Sequence, residues 1–154
     1  ATTDANGSIE MGVLLQQSAA KIGVNLNINR VPADGYWSNH WMKHPLGFGS
    51  VNPRSSADVL FTQFFKSDAP WNESGWNNPK FDQLLVAARS ETDDAKRKQM
   101  YGDMQVLVAE QGSIGIPTFL SLLDANDKRL QGLQPIPTGA MMGFNFAEYV
   151  WWNA

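Results

Sequence analysis

A chain of 154 residues with 43% hydrophobic and 18% charged side chains has room for one ordinary domain with a real core. Its formal net charge is −3 and its longest basic run is Lys96-Arg97-Lys98, which argues against a nucleic-acid partner. The absence of cysteine excludes thiol catalysis, disulfides and cysteine zinc sites, and no stretch approaches the roughly 20 apolar residues of a membrane span.

Residues 1–8 (ATTDANGS) read as a strand end and a loop, with Ser8 as a candidate helix N-cap. From Ile9 to Ile22, Met11, Leu14, Leu15, Ser18, Ala19 and Ile22 share one helical face, and Gly23 is placed to end the helix. Val24 to Val31 alternates apolar residues with asparagine, the pattern of a strand with one wet face. Pro32 ends that strand, and Asp34 can cap a short helix holding Tyr36, Trp37, His40 and Trp41. Residues 44–56 are a loop by composition. The apolar run Ala57 to Phe65 reads as a buried strand.

The most informative stretch runs from Ser67 to Val108. It opens with a loop holding Trp71, Trp76, Asp68, Glu73 and the asparagines Asn72, Asn77 and Asn78. Asn78-Pro79 then starts a helix, with asparagine capping and proline at the first helical position. Phe81, Leu84, Leu85 and Ala88 recur at i, i+3, i+4 and i+7. Glu91, Asp93 and Asp94 open a second helix, where acids complement its dipole, and Met100, Tyr101, Met104, Leu107 and Val108 give it an apolar face. Beyond it, Ser113 to Leu123 reads as a strand with Pro117 at an edge or bend, Asp124 to Gln131 as a turn, and Leu133 to Pro137 as extended. Residues 138–154 read as irregular, ending in the aromatic cluster Phe144, Phe146, Tyr149, Trp151 and Trp152. The expected fold is α+β: one domain over residues 1–154, a small mixed sheet with helices on one side.

Three groups of residues invite a chemical reading. His40 and His44 are spaced to chelate a metal, but there is no further histidine and no HExxH, so two ordinary histidines are expected and no metal. Asp68 and Glu73 share an aromatic loop, as a glycosidase pair does, although solvated or capping acids fit the same pattern. The six tryptophans are many for this length. Trp41, Trp151 and Trp152 suit a core, whereas Trp37, Trp71 and Trp76 lie beside polar residues and suit a recognition surface. No G-x-S-x-G, P-loop or G-x-G-x-x-G is present.

The ordered set Trp71-Asn72-Glu73, Asn78-Pro79-Lys80-Phe81-Asp82-Gln83-Leu84-Leu85, Ala88-Arg89, Asp94-Ala95-Lys96-Arg97 and Tyr101 to Gln105 resembles the extracytoplasmic solute-binding proteins of peptide-type ABC transporters, the family 5 or dipeptide/oligopeptide-binding group. Lys21-Ile22-Gly23-Val24 resembles that family's helix-to-strand unit. Members are two-lobed and much longer, so the resemblance implies a fragment. The matching part is the second lobe, inserted between the halves of the first, of a periplasmic-binding-protein type II (class C) fold. It implies a small solute, a peptide first, bound between this lobe and its partner lobe, and a transporter permease as a further partner. It also implies a periplasmic location, or an extracytoplasmic, membrane-anchored one, with no cofactor and no membrane insertion.

Ligand contacts are expected at Asp68, Trp71, Asn72, Glu73, Trp76 and Trp37. Asp68 is nearest in position to an acid that binds a peptide's α-amino group in that family. The sequence departs from peptide binders at Ser67-Asp68-Ala69-Pro70-Trp71, where they carry a longer glycine- and aspartate-rich stretch, and the same scaffold serves nickel complexes, sugars and opines. Two readings from other classes stand beside it. A free-standing carbohydrate-binding module would stack sugars on Trp71 and Trp76. A hydrolase would lose turnover on changing Asp68 or Glu73.

Overall fold

The structure, a computed structural model, describes residues 2–3, 7–137 and 139–153, with side chains from residue 7 onward. Contacts within it gather into two compact units, residues 1–51 and 52–154.

In the first unit, β1 (Thr2–Thr3) pairs in parallel with β2 (Arg30–Val31), and α1 (Ser8–Ala20) connects them. Ser8 is not the N-cap. Gly7 holds that place in the left-handed region, and Ser8 is buried as the first helical residue. Gly23 does end the helix, at φ +78°, where its lack of a Cβ permits the turn. Its N–H donates to Ala20 O at 3.1 Å and the Val24 N–H to Ala19 O at 3.0 Å, the paired bonds of a Schellman motif. The strand expected over 24–31 shrinks to Arg30–Val31. Leu26 and Ile28 are half-buried between exposed asparagines, so the alternation holds, yet residues 24–29 have no neighbouring strand among the described residues. The short helix α2 (Tyr36–Asn39) is capped by Gly35, at φ +76°, rather than by Asp34. Tyr36 is buried there and its hydroxyl donates to Phe48 O at 2.5 Å.

The second unit departs from expectation at its first element. Residues 57–65 form no strand; Ala57–Phe64 is helix α3. Its apolar positions 57, 60, 61, 64 and 65 satisfy the i, i+3, i+4, i+7 pattern as well as a buried strand's continuous run. The N-terminus breaks the tie: Ser56 Oγ accepts the Val59 N–H at 3.3 Å, and Asp58 sits in the first turn, where a negative charge is favoured. Helices α4 (Pro79–Ser90) and α5 (Asp94–Gln111) form as expected. Asn78 Oδ1 accepts from the Lys80 and Phe81 N–H groups at 3.0 and 3.2 Å, and Asp93 Oδ1 does the same for Ala95 and Lys96 at 2.9 and 3.1 Å.

These three helices share one core. Phe61, Phe64 and Phe65 meet Phe81, Leu85 and Ala88 of α4 and Met104, Leu107 and Val108 of α5, with Trp76 closing one side. The strand expected over 113–123 is absent: the segment has no ladder partner among the described residues. Further on, β3 (Leu130–Gln131) pairs antiparallel with β4 (Trp151–Trp152), and between them lie a left-handed turn at Ala140–Gly143 and a 3₁₀ turn at Phe146–Glu148. Trp151 and Trp152 are exposed, not core, and Trp152 carries the Arg129 guanidinium over its ring at 5.7 Å. The class is α+β, with strand pairing confined to two short separate ladders among the described residues.

Because Leu85 is fully buried in this core, Leu85→Ala is expected to cost about 2–5 kcal/mol, whereas Val86→Ala on the exposed face should stay within about 0.5 kcal/mol. Urea denaturation of both variants checks the assignment; equal midpoints would contradict it.

Candidate functional site

The loop between α3 and α4 is a chain of tight turns tied to both helices. Successive backbone bonds run from Ala69 N–H to Lys66 O (2.9 Å), Asn72 N–H to Ala69 O (3.1 Å) and Gly75 N–H to Asn72 O (3.2 Å). Gly75 takes the last turn at φ +62°. Asn72 holds the coil closed. It is buried, its amide donates to Trp76 O at 2.7 Å, and its Oδ1 accepts from the Ser74 hydroxyl at 3.0 Å. The loop is then stitched to α4: the Ser67 N–H donates to Asp82 Oδ1 at 3.1 Å, and the Asn78 N–H to Ser67 Oγ at 3.2 Å. Ser67 and Asp82 were not singled out by sequence. Their spacing of 15 residues hides a contact that only the folded loop creates.

The expected ligand residues divide by what they touch. Trp76 is core, its ring 5.1 Å from Phe81, and Asn72 serves the loop's own backbone. Both hold the loop's shape. Asp68, Trp71 and Glu73 reach the surface from it, Glu73 half-buried. Trp71 is 40% exposed, with its ring 5.4 Å from that of Phe64. Arg54, also missed by sequence, lies over both, its guanidinium carbon 5.3 Å from the Phe64 ring and 5.9 Å from that of Trp71. That guanidinium is fixed by Gln63 Oε1 at 2.6 Å and Asn52 O at 2.7 Å. Trp37 belongs to the first unit, where it is half-exposed and packs edge-on against Tyr36 and Trp41 at 5.4 and 5.7 Å.

Electrostatics distinguish two aspartates. Asp68 is fully at the surface and pairs with Lys66, whose hydrogen bond holds the carboxyl below the usual range. That is opposite to the direction a general acid needs. Asp58 lies in the first turn of α3. It accepts from Arg89 Nε at 2.8 Å and from the Tyr101 hydroxyl at 3.0 Å, so one carboxylate joins α3, α4 and α5. The Arg89 hydrogen bond holds it below the usual carboxylate range, over the opposing effect of burial, and the Tyr101 hydroxyl adds to the lowering. Burial, then Asp58, pushes the Tyr101 hydroxyl upward. In the first unit, His40 Nδ1 and His44 Nε2 meet at 3.1 Å, with ring centroids 5.4 Å apart and planes 14° from parallel. Among the described residues no group of three or more metal-ligating side chains gathers.

No protein-family profile matches the chain. Among curated proteins it is similar to the dipeptide-binding protein DppE of Bacillus subtilis, 22% identical over 98 residues, which are 64% of this chain and 18% of that protein. Among solved structures it resembles the ABC transporter substrate-binding protein CtaP from Listeria monocytogenes, with a TM-score of 0.64 and 23% identity, covering 73% of this chain and 24% of that one. It also resembles the periplasmic binding protein DppA from Helicobacter pylori, solved with the peptide STSA, with a TM-score of 0.63 and 21% identity, covering 73% of this chain and 23% of that one. The chain therefore has the fold of part of an ABC-transporter substrate-binding protein, the resemblance its motif order implied, and it spans a quarter or less of these relatives' length.

Two outcomes follow from the loop and its support. Asn72→Ala leaves the Trp76 carbonyl without its buried donor and is expected to cost about 1–3 kcal/mol in urea denaturation. For Asp58, the folded pKa lies below the unfolded value of about 3.9, so its stabilisation is complete above that value and is lost as pH falls through the folded pKa. The stability difference between the unmodified chain and Asp58→Asn should hold steady above about pH 5 and shrink below about pH 4. Melting temperatures of both across that range check it; a pH-independent difference would contradict the ion pair.

Proposed function

We propose that this chain is one lobe, the second, of a two-lobed protein that captures a small solute, a peptide first, outside the cytoplasm for ABC-type import. The single observation that carries the reading is the α3–α4 loop. It presents an acid and an aromatic ring from a backbone stitched to its helices, on the fold of part of a substrate-binding protein. A rigid element behind a polar aromatic loop is how a binding site keeps its geometry. Trp71 stacks on an apolar or ring-bearing group of the ligand, and Asp68 receives a positive group, exchanging Lys66 for it. Glu73 lines the ligand beside them, and Asn72 and Trp76 act through the loop they hold. The dipeptide-binding and peptide-bound relatives favour a peptide among small solutes.

Binding proceeds without turnover and without a cofactor: a partner lobe of the same protein closes over the solute, and a membrane permease receives it. Nucleic acid has no part in this. The lobe is periplasmic, or tethered outside the membrane without inserting; no helix among the described residues is long and apolar enough to cross a membrane.

In the two-lobed protein, Asp68→Asn and Trp71→Ala should each weaken peptide binding several-fold by calorimetry while leaving the melting temperature nearly unchanged. Unchanged affinity with a lowered melting temperature would make the loop structural and overturn the site. The 154 residues alone should bind peptides more weakly than ~1 µM, since half a cleft desolvates one side of the ligand; tighter binding would overturn the half-site.

A further inference from the structure

The segment from Ser113 to Leu123, which follows α5, carries more exposed apolar surface than its length explains. Ile116 is 57% exposed, Phe119 88%, Leu120 62%, Leu122 55% and Leu123 89%, with Ile114 at 37%. Six large apolar side chains within ten residues is not the scatter of a normal surface.

The backbone tells the same story independently. Among the described residues, Gly115 to Leu123 neither donates nor accepts a hydrogen bond, and no strand lies beside it. An unpaired run of apolar residues is a template for pairing, and a monomer that left it so would be prone to aggregate. Its ends are nonetheless anchored. Asn78 Nδ2 donates to Gln111 Oε1 at 3.1 Å where α5 finishes, and the Met141 N–H donates to Asp124 Oδ2 at 2.8 Å just beyond the segment.

Resting on the reading of the chain as one lobe of a longer protein, we infer that Gly115 to Leu123 is a strand whose partner is a sheet edge in the remainder of that same protein. The occupant is intramolecular because the relatives of this fold are roughly three to three and a half times as long as this chain, of which 64% to 73% matches 18% to 24% of them. A covalently attached edge competes at high effective concentration with any second copy. Its chemistry is set by the segment: backbone donors and acceptors to complete a ladder, and apolar side chains to meet Phe119 and Leu122, which lie on opposite faces of an extended chain. Pro117 lacks an N–H, so its position along the ladder must be one that asks for none.

Hydrogen exchange read by mass spectrometry tests this on the 154-residue chain and on the full-length protein that contains it. Amides of Gly115 to Leu123 should exchange at near-unprotected rates in the short chain and orders of magnitude more slowly in the long one. Fast exchange in both overturns the inference. So does protection in the short chain that grows with its concentration, which would make a second copy the occupant. Phe119→Asp gives a second measurement: the melting temperature of the short chain should not move, and that of the full-length protein should fall by several degrees. An equal shift in both overturns the inference. Peptide calorimetry on the same full-length protein reports separately on solute capture, so loss of either claim leaves the other readable.

Discussion

The second unit depends on where Phe81 is held. Its N–H is capped by Asn78 and its ring is fully buried, 5.3 Å from Phe61 of α3 and 5.1 Å from Trp76 of the loop. One residue therefore joins the start of α4, the helix before it and the loop between them. Aromatic rings at these separations prefer tilted or edge-on contact, and the interplanar angles of 68° and 64° are of that kind. Such geometry is directional. It fixes the angle at which the loop leaves α3 as well as the distance, which a purely aliphatic contact would leave looser. Trp71 then comes to the surface in a defined place because Phe64, one turn along the same helix, supports its ring.

Legibility in the sequence followed the range of the interaction. α4 and α5 were readable because their caps and apolar faces lie within a few residues of one another: Asn78 and Asp93 hydrogen-bond two and three positions ahead. Residues 57–65 were misread because an apolar run of that length suits a buried strand and a helix alike, and the deciding cue, Ser56, stands outside the run. Ser8 and Asp34 were reasonable caps, but each has a glycine beside it that reaches the left-handed region at less cost. Residues 24–29 and 113–123 have strand patterns without strand partners among the described residues, and pairing is a property of a second segment that no local pattern contains.

The loop dense in Trp, Asn and acids before α4 was legible as a loop, but the part each residue plays in it was not. What composition could not separate was which residues face inward. Trp71 and Trp76 have similar neighbours in sequence, yet one lies against a phenylalanine at the rim and the other is sealed in the core. The pairing of Ser67 with Asp82 and the seat of Arg54 gave no sequence signal, since they rest on a loop N–H and two aromatic faces assembled by folding. Asp58 shows the same limit. In sequence it falls in the run read as a buried strand, and in the structure it opens α3 and gathers Arg89 and Tyr101 from two other helices.

That gathering bears on what the loop can do. A surface ion pair such as Lys66–Asp68 contributes little to stability, because water screens it and two long side chains must be ordered to make it. Asp58 is different in geometry, with a fork of guanidinium bonds and a hydroxyl on one carboxylate, and it secures the helices rather than the loop tip. Under the proposed reading, stability and recognition thus rest on separate acids. Asp68 can exchange its lysine for an incoming cation without loosening α3, α4 or α5. Trp71, already seated on Phe64 beneath Arg54, loses little further freedom on contact with a ligand. A carboxyl acting as a general acid needs its proton affinity raised by a dry, confining site; Asp68, exposed and lowered by Lys66, stays charged, which under the proposed reading suits holding a positive group.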